Sequence, residues 1–172
     1  SLIQVDAHTD TWADDNMERV DHGTMFYKAV KMGLVDPARS VQIGIRTHNE
    51  DTLGVNIIDA REVHEIGATE VARRVKEIVG DHPTYLTFDI DGLDPAYAPG
   101  TGTPEVGGFT SFEAQKMLRG LMGINIVGGD LVEVSPPFDT AGITSLNGVQ
   151  MMWEILCLMA NKIGTEKGRL DD

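Results

Sequence analysis

The sequence predicts an α/β fold built on a mostly parallel β-sheet. Short apolar runs alternate with amphipathic stretches along the 172 residues, which is the order expected when helices connect parallel strands. Several apolar runs are continuous rather than alternating, as strands are when helices cover both faces of a sheet. A chain of this length suits one ordinary domain, which we expect to span residues 1–164.

Six segments are predicted as strands, and the first of them opens the chain. They are Leu2–Asp6, Val41–Ile45, Val55–Ile58, Tyr85–Ile90, Ile124–Val127 and Leu131–Val134. A parallel sheet usually buries a strand like the first one in its middle. We therefore expect the neighbours of the first strand to be missing, and the chain to be truncated or processed.

The amphipathic stretches predict four helices, at about Thr24–Met32, Thr69–Val79, Ser111–Leu121 and Ser145–Ile163. Gly80 stands where the C-terminal cap of the second helix belongs, and Thr110 and Glu113 have the spacing of a capping box. The last helix is apolar on most sides, so we expect it to be well buried. Residues 165–172 are polar and are expected to form a flexible tail.

The composition excludes several classes of protein. With 41% hydrophobic residues, the chain is too apolar to be disordered. The 14 Lys and Arg against 27 Asp and Glu give a net charge of −13, which argues against a nucleic-acid partner. No apolar run is long enough to span a membrane. One cysteine, Cys157, and an N-terminus unlike a signal peptide favour a cytoplasmic protein.

Acidic side chains follow two of the predicted strands. Asp6, His8 and Asp10 have i, i+2, i+4 spacing at the end of the first strand, and Asp89 and Asp91 end the fourth. In extended backbone this spacing directs the side chains to one side. The carboxyl ends of parallel strands are where open α/β sheets bind ligands. Each motif alone is weak, because Asp is common at turns, but together they predict a metal site.

The residue types narrow the choice of ion. Four carboxylates close together would repel one another by several kcal/mol unless cations neutralise them. Two divalent ions would do so. Carboxylate and imidazole ligands without thiolate suit manganese or magnesium better than structural zinc.

His22 and Glu133 are further candidates, each with a plain structural alternative. His22 lies in a polar loop before a helix, where it either bonds to backbone or shuttles protons near the metals. Glu133 is a lone carboxylate in an apolar strand. Such a group must face solvent, find a cation or serve a pocket.

These segments together resemble the ureohydrolase superfamily of arginases and agmatinases, and its agmatinase branch in particular. The matching stretches are VDAHTDT at 5–11, DHGTMF at 21–26, SVQIGIRT at 40–47, LTFDIDGLDPAYAPGTGTPEVGG at 86–108 and GGDLVEVSPPFD at 128–139. The resemblance implies a three-layer α/β/α sandwich around a mostly parallel sheet, assembled into trimers or hexamers. It also implies a binuclear manganese centre that hydrolyses a small cationic guanidine, in agmatinases agmatine, to urea and putrescine.

The resemblance also assigns roles to the candidate residues. Asp6 and Asp89 would bridge the two metals. Asp10 would complete one ion and give a proton to the leaving amine, while His8 and Asp91 would complete the other ion. A metal-bridging hydroxide would attack the guanidinium carbon.

Two further roles follow from the same resemblance. Glu133 would hold the substrate guanidinium, and His22 would carry protons and contact the substrate.

One feature departs from the family pattern. Family members carry a GGDHS motif in a long N-terminal segment, and its histidine is the sixth metal ligand. This chain has no GGDHS. We expect the 172 residues to be the C-terminal part of an enzyme, with a separate N-terminal fragment as a potential partner. A metal-binding but inactive module is the alternative.

The identity of the guanidine stays open at this point. Trp12 stands where arginases have an asparagine that contacts the substrate α-carboxylate, which argues against an arginase. An acidic loop follows, with Asp14, Asp15, Glu18 and Asp21, and favours an amine tail such as that of agmatine. A carboxylate tail, as in guanidinobutyrase or guanidinopropionase, would instead be received by Arg19, Arg46 or His48.

Overall fold

The structure is a computed structural model that describes residues 1–166. Five strands form one sheet in the order β3-β2-β1-β4-β5, and every pair in it is parallel. The strands are β1 (Leu2–Val5), β2 (Val41–Ile43), β3 (Asn56–Ile58), β4 (Thr84–Asp89) and β5 (Ile126–Val132). The helices are α1 (Met25–Lys31), α2 (Ala60–Val79), α3 (Ser111–Gly120) and α4 (Ile143–Glu166). The predicted α/β class with a parallel sheet is confirmed.

Strand β1 lies in the middle of the sheet, with its partners present on both sides. Its residues pair with β2 through Ile3 and Val41, and with β4 through Val5 and Phe88. The prediction that the neighbours of this strand are missing is therefore wrong. The two strands that flank β1, β2 and β4, come later in the chain. Each follows a crossover segment, which a parallel neighbour requires.

Strand β5 corrects the prediction of two separate strands at 124–127 and 131–134. It is one strand that runs through Gly128 and Gly129, with a register shift in its pairing with β4 between Thr84 and Tyr85. Glycine is needed here for packing, since a Cβ on Gly129 would lie 2.8 Å from the carbonyl oxygen of Leu86 and 2.9 Å from Ile155 on α4. Gly129 therefore lets α4 pack close to the sheet, and neither glycine ends the strand.

The caps of α2 and α3 show how local sequence sets the helix ends. Thr110 and Glu113 form the predicted capping box, and Gly80, with φ 55°, ends α2 as expected. Helix α2 begins earlier than predicted, because the Asp59 side chain accepts a hydrogen bond from the Glu62 N–H. Gly67 interrupts α2 with φ 80°, which explains why the sequence pattern indicates a helix only after it.

The core lies between the sheet and the layer of α2, α3 and α4. These helices pack side by side, α2 against β2 and β3 and α4 against β5. Its largest fully buried side chains are Phe88, Phe109, Ile3, Ile43, Leu86, Ile90, Leu93, Met117, Leu118, Leu121, Ile126 and Met151.

Helix α4 is less buried than predicted. Its inner face packs through Met151 and Ile155, but Trp153 is 62% exposed. The other exposed apolar side chains of this helix include Leu146, Val149 and Leu156. Of these, Trp153, Val149 and Leu156 line an open groove of about 410 Å³ together with Leu131 and Val134. The reason is that β5 is an edge strand, so the sheet ends beneath α4 and covers only one of its apolar sides.

Helix α4 continues to Glu166, and residues 167–172 of the predicted tail lie outside the described residues. None of the helices in residues 1–166 combines the length and the apolar character that a membrane crossing needs.

The capping box of α3 can be tested directly. Thr110→Ala removes the side-chain acceptor of the Glu113 N–H, so the free energy of unfolding should fall by about 1 kcal/mol. Urea denaturation measures the change. Lys116→Ala at an exposed position of the same helix is the control; an equal loss in both variants would mean that the cap contributes nothing specific.

Candidate active site

The candidate site lies where β1 and β4 end side by side. Because Val5 pairs with Phe88, the residues that follow each of them, Asp6 and Asp89, emerge next to each other at the same edge of the sheet. The chain after β4 makes a short 3₁₀ turn that contains Asp91. The register of two parallel strands thus brings carboxylates together from positions more than eighty residues apart.

Asp6, His8 and Asp91 form the tightest cluster. His8 Nδ1 lies 3.0 Å from Asp91 Oδ2 and 3.5 Å from Asp6 Oδ1. One ligand atom from each residue lies within 4.8 Å of the others, a spacing that could hold a metal ion. Asp10 and Asp89 are outside this cluster, but both line the same cavity as His8.

Backbone hydrogen bonds fix the orientation of the carboxylates. Asp6 Oδ1 accepts the His8 N–H at 2.6 Å, and Asp91 Oδ1 accepts the Ala7 N–H at 3.1 Å. Asp89 Oδ1 accepts the Asp91 N–H at 2.9 Å. The three carboxylates are therefore held in place by the segments that carry the site itself.

The pKa values reflect an excess of negative charge in a buried place. Burial and the neighbouring Asp6 raise the pKa of Asp10 to about 8, and burial likewise raises the pKa values of Asp6 and Asp89. The bonds to Asp6 and Asp91 raise the pKa of His8 to about 10. Burial opposes ionisation of Asp91, but its bonds to His8 and Ala7 outweigh it and lower its pKa. Protons and the His8 imidazolium thus compensate part of the negative charge of these carboxylates. A divalent cation would compensate more of it.

His22 and Glu133 meet at the other side of the cavity. His22 Nδ1 lies 2.8 Å from Glu133 Oε1, although the two residues are far apart in the chain. The cavity has a volume of about 520 Å³. Its walls include His8, Asp10, Trp12, Asp21, His22, Gly23, Asp89, Thr103, Val132 and Glu133. The structure therefore places His22 and Glu133 in the same cavity as His8, Asp10 and Asp89.

Two of the candidate residues have unusual backbone conformations. Asp10 has φ 53° and Glu133 has φ 65°, values in the left-handed region that favours glycine. Strained non-glycine residues of this kind concentrate at functional sites. Glu133 also lies one residue beyond the end of β5, so it is not within a strand as the sequence pattern indicated.

Trp12 is exposed and lines the cavity. It lies on a loop that is held in place by contacts within the protein. The Trp12 N–H donates to the Gly23 carbonyl at 2.9 Å. The buried Lys28 ammonium donates to Asp14 at 3.0 Å, and Arg19 pairs with Asp21 at 2.7 Å. Two of the acidic side chains that were expected to favour an amine tail are therefore engaged within the protein.

Arg46 has a role that the sequence did not reveal. Its guanidinium donates to the carbonyl oxygens of Asp91 at 2.6 Å and Glu105 at 2.7 Å. Further bonds reach the carbonyls of Gly44, Gly92 and Leu93. Arg46 thus ties the end of β2 to the loop that carries Asp91, and the suggestion that it receives a substrate carboxylate is not supported. An arginine directly after a strand gives no sign of this in sequence.

The fold and the site define an α/β domain with a cluster of acidic side chains at the carboxyl ends of two parallel strands. Residues 1–158 match the Arginase family, and the chain belongs to that family.

Individual relatives agree with this assignment. The chain is 51% identical over 162 residues to the agmatinase of Chromobacterium violaceum, a match that covers 94% of this chain and 50% of the relative. The crystal structure of a hypothetical agmatinase from Burkholderia thailandensis superposes with a TM-score of 0.94 at 54% identity, covering 95% of this chain and 52% of that one.

A second solved structure is that of an enzyme named for a different substrate. Proclavaminate amidino hydrolase from Streptomyces clavuligerus superposes with a TM-score of 0.89 at 41% identity, covering 94% of this chain and 55% of that one. These superpositions confirm the expected α/β sandwich. The chain spans about half the length of the relatives it matches.

The raised pKa of Asp10 predicts a pH-dependent stability of the metal-free chain. Its contribution is fully present below the ordinary value of 3.8 and is lost as the pH rises through about 8. Between about pH 5 and about pH 9, the unfolding free energy of the wild type should fall by on the order of 1–3 kcal/mol more than that of Asp10→Asn. Urea denaturation in the presence of a chelator measures both. The exposed Asp15→Asn control should follow the wild type; parallel wild-type and Asp10→Asn curves would contradict the assignment.

Proposed function

We propose that this domain binds two Mn²⁺ ions and hydrolyses the guanidinium group of agmatine to urea and putrescine. The observation that carries the proposal is the cluster of Asp6, His8 and Asp91, whose His8 lines the same cavity as the His22–Glu133 pair. Membership of the Arginase family and about 50% identity to agmatinases support the same reaction.

The donor set fits the ions. Asp6 and Asp89 would bridge them, Asp10 would complete one, and His8 and Asp91 would complete the other. The ligands are carboxylates and an imidazole, which suit Mn²⁺. Burial raises the pKa values of Asp6, Asp10 and Asp89, so ionisation of these carboxylates is opposed until a cation neutralises them.

The side chains of the cavity would divide the remaining work. The ions, when bound, lower the pKa of a water so that it ionises near neutral pH and can attack the guanidinium carbon. Glu133 would hold the guanidinium by a charge-assisted pair, and Trp12 would line its approach. Asp10 would deliver a proton to the departing amine, and His22, at the mouth of the cavity, would exchange protons with solvent.

A guanidino acid is the second candidate substrate, because a proclavaminate amidino hydrolase is 41% identical over 94% of this chain. Such a substrate needs a cation to receive its carboxylate. Arg46 donates to six backbone carbonyl groups, and Arg19 is paired with Asp21. These contacts, with the identity to agmatinases, favour agmatine. The kcat/KM ratio for agmatine against 4-guanidinobutyrate separates the two substrates.

The setting of the domain is also proposed from the resemblance. We infer a cytoplasmic homo-oligomer, a trimer or hexamer, acting in polyamine metabolism, in which a separate N-terminal fragment is a potential partner. Light scattering with intact-mass analysis of the purified protein tests the assembly and any second chain. One bound ion with no release of urea would favour the inactive-module alternative.

Asp89→Ala tests the bridging assignment. Because one carboxylate would serve both ions, this variant should lose urea release and bind both Mn²⁺ ions more weakly. Metal analysis and a colorimetric urea assay measure the two effects. The exposed Asp81→Ala is the matched control and should behave as the wild type. An Asp89→Ala protein with wild-type metal content and rate would refute the assignment.

Glu133→Gln tests the guanidinium-binding role. Loss of one partner of a charged pair should lower kcat/KM about 100-fold, while the Mn²⁺ content stays at the wild-type value. Steady-state kinetics with agmatine and metal analysis provide the readouts. Glu50→Gln, at an exposed position, is the control; a loss of metal in Glu133→Gln would assign this residue to the metal centre instead.

A further inference from the structure

Two glutamine side chains are buried in the middle of the sheet. Gln4 on β1 and Gln42 on β2 are cross-strand partners, and both are 0% exposed. Their nearest neighbours in sequence, such as Ile3 and Ile43, are buried apolar residues. Burying an amide in such a place is costly unless its polar atoms find partners, so the pair requires an explanation.

The hydrogen bonds of this pair run toward the candidate site. Gln4 Nε2 donates to Asp6 Oδ2 at 2.7 Å and to the His8 carbonyl oxygen at 3.1 Å. Gln42 Nε2 donates to Gln4 Oε1 at 2.6 Å and to the Thr9 carbonyl oxygen. A carboxylate and a carbonyl only accept, so Gln4 turns its amino group to the site and its oxygen to Gln42. One orientation of both amides satisfies all four contacts.

These contacts hold the segment that carries the metal-binding candidates. Asp6 is fixed at both oxygens, at Oδ1 by the His8 N–H and at Oδ2 by Gln4. The carbonyls of His8 and Thr9 are fixed by Gln4 and Gln42. The rotation of the Asp6 carboxylate and the path of residues 6–9 are therefore set before any ion binds.

Stability of the fold alone does not account for the pair. Gln42 Oε1 is buried and has no hydrogen-bond partner within residues 1–166, and an orphaned buried acceptor is destabilising. We propose that Gln4 is a positioning residue that orients Asp6 for Mn²⁺ binding, and that Gln42 holds Gln4 in place. This inference rests on the proposed metal centre.

The test separates metal binding from folding. Gln4→Met keeps the shape of the side chain and removes the amide. In the full 172-residue chain, it should bind Mn²⁺ about 10–100-fold more weakly in calorimetric titrations. Each variant also removes the donor to one backbone carbonyl, that of His8 for Gln4→Met and that of Thr9 for Gln42→Met, so the urea midpoint of the metal-free protein should fall by a similar amount in both. At this similar stability, Gln42→Met should give a smaller loss of affinity.

Thr87→Val is the matched control. Thr87 is the β4 partner of Gln4 in the sheet and is also buried, so this variant removes a neighbouring polar group that does not contact Asp6. It should bind Mn²⁺ with wild-type affinity.

Three outcomes would overturn the inference. Wild-type Mn²⁺ affinity in Gln4→Met is the first, and a loss of affinity matched by an equal loss in Thr87→Val is the second. If Gln4→Met does not fold, the Gln42→Met variant decides, and wild-type affinity there is the third. A wild-type chain that binds no Mn²⁺ would instead overturn the proposed metal centre, and the inference with it.

Discussion

Burial of several carboxylates at the joined ends of β1 and β4 is the constraint on which the rest of the structure depends. The parallel register that pairs Val5 with Phe88 leaves Asp6 and Asp89 side by side at the ends of two neighbouring strands. In a low dielectric such a group is tolerable only when protons or cations compensate its charge. The raised pKa values of Asp6, Asp10 and Asp89 are the direct expression of that cost.

The surrounding polar residues hold the site without neutralising it. Arg46 directs its donors to carbonyl oxygens around Asp91, and Gln4 offers Asp6 a neutral amide. Lys28 donates a hydrogen bond to Asp14, on the loop that follows Trp12. The scaffold thus fixes the geometry of an acidic cluster and leaves the excess negative charge in place, which is the condition under which a cluster binds metal ions well.

Local patterns predicted much of this molecule, and contacts distant in sequence account for what they missed. The spacing of Asp6, His8 and Asp10 after an apolar run was enough to expect a site at a strand end, and Thr110 with Glu113 marked the start of α3 correctly. Sequence could not show that β1 is flanked by later strands, or that Gly129 of β5 lets α4 pack close to the sheet. Nor could it show the His22–Glu133 contact or the carbonyls around Arg46, because both join segments that only the sheet brings together.

The open groove beside α4 has a consequence for how the protein behaves in solution. Trp153 and its apolar neighbours face water on a molecule whose formal charge is −13. At low ionic strength, long-range repulsion keeps such particles apart, whereas at about 0.1 M salt the screening length shrinks to roughly 10 Å. Two molecules can then approach closely at little electrostatic cost, and their exposed apolar surfaces can associate. Colloidal stability of this chain is thus governed by the buffer as much as by the fold.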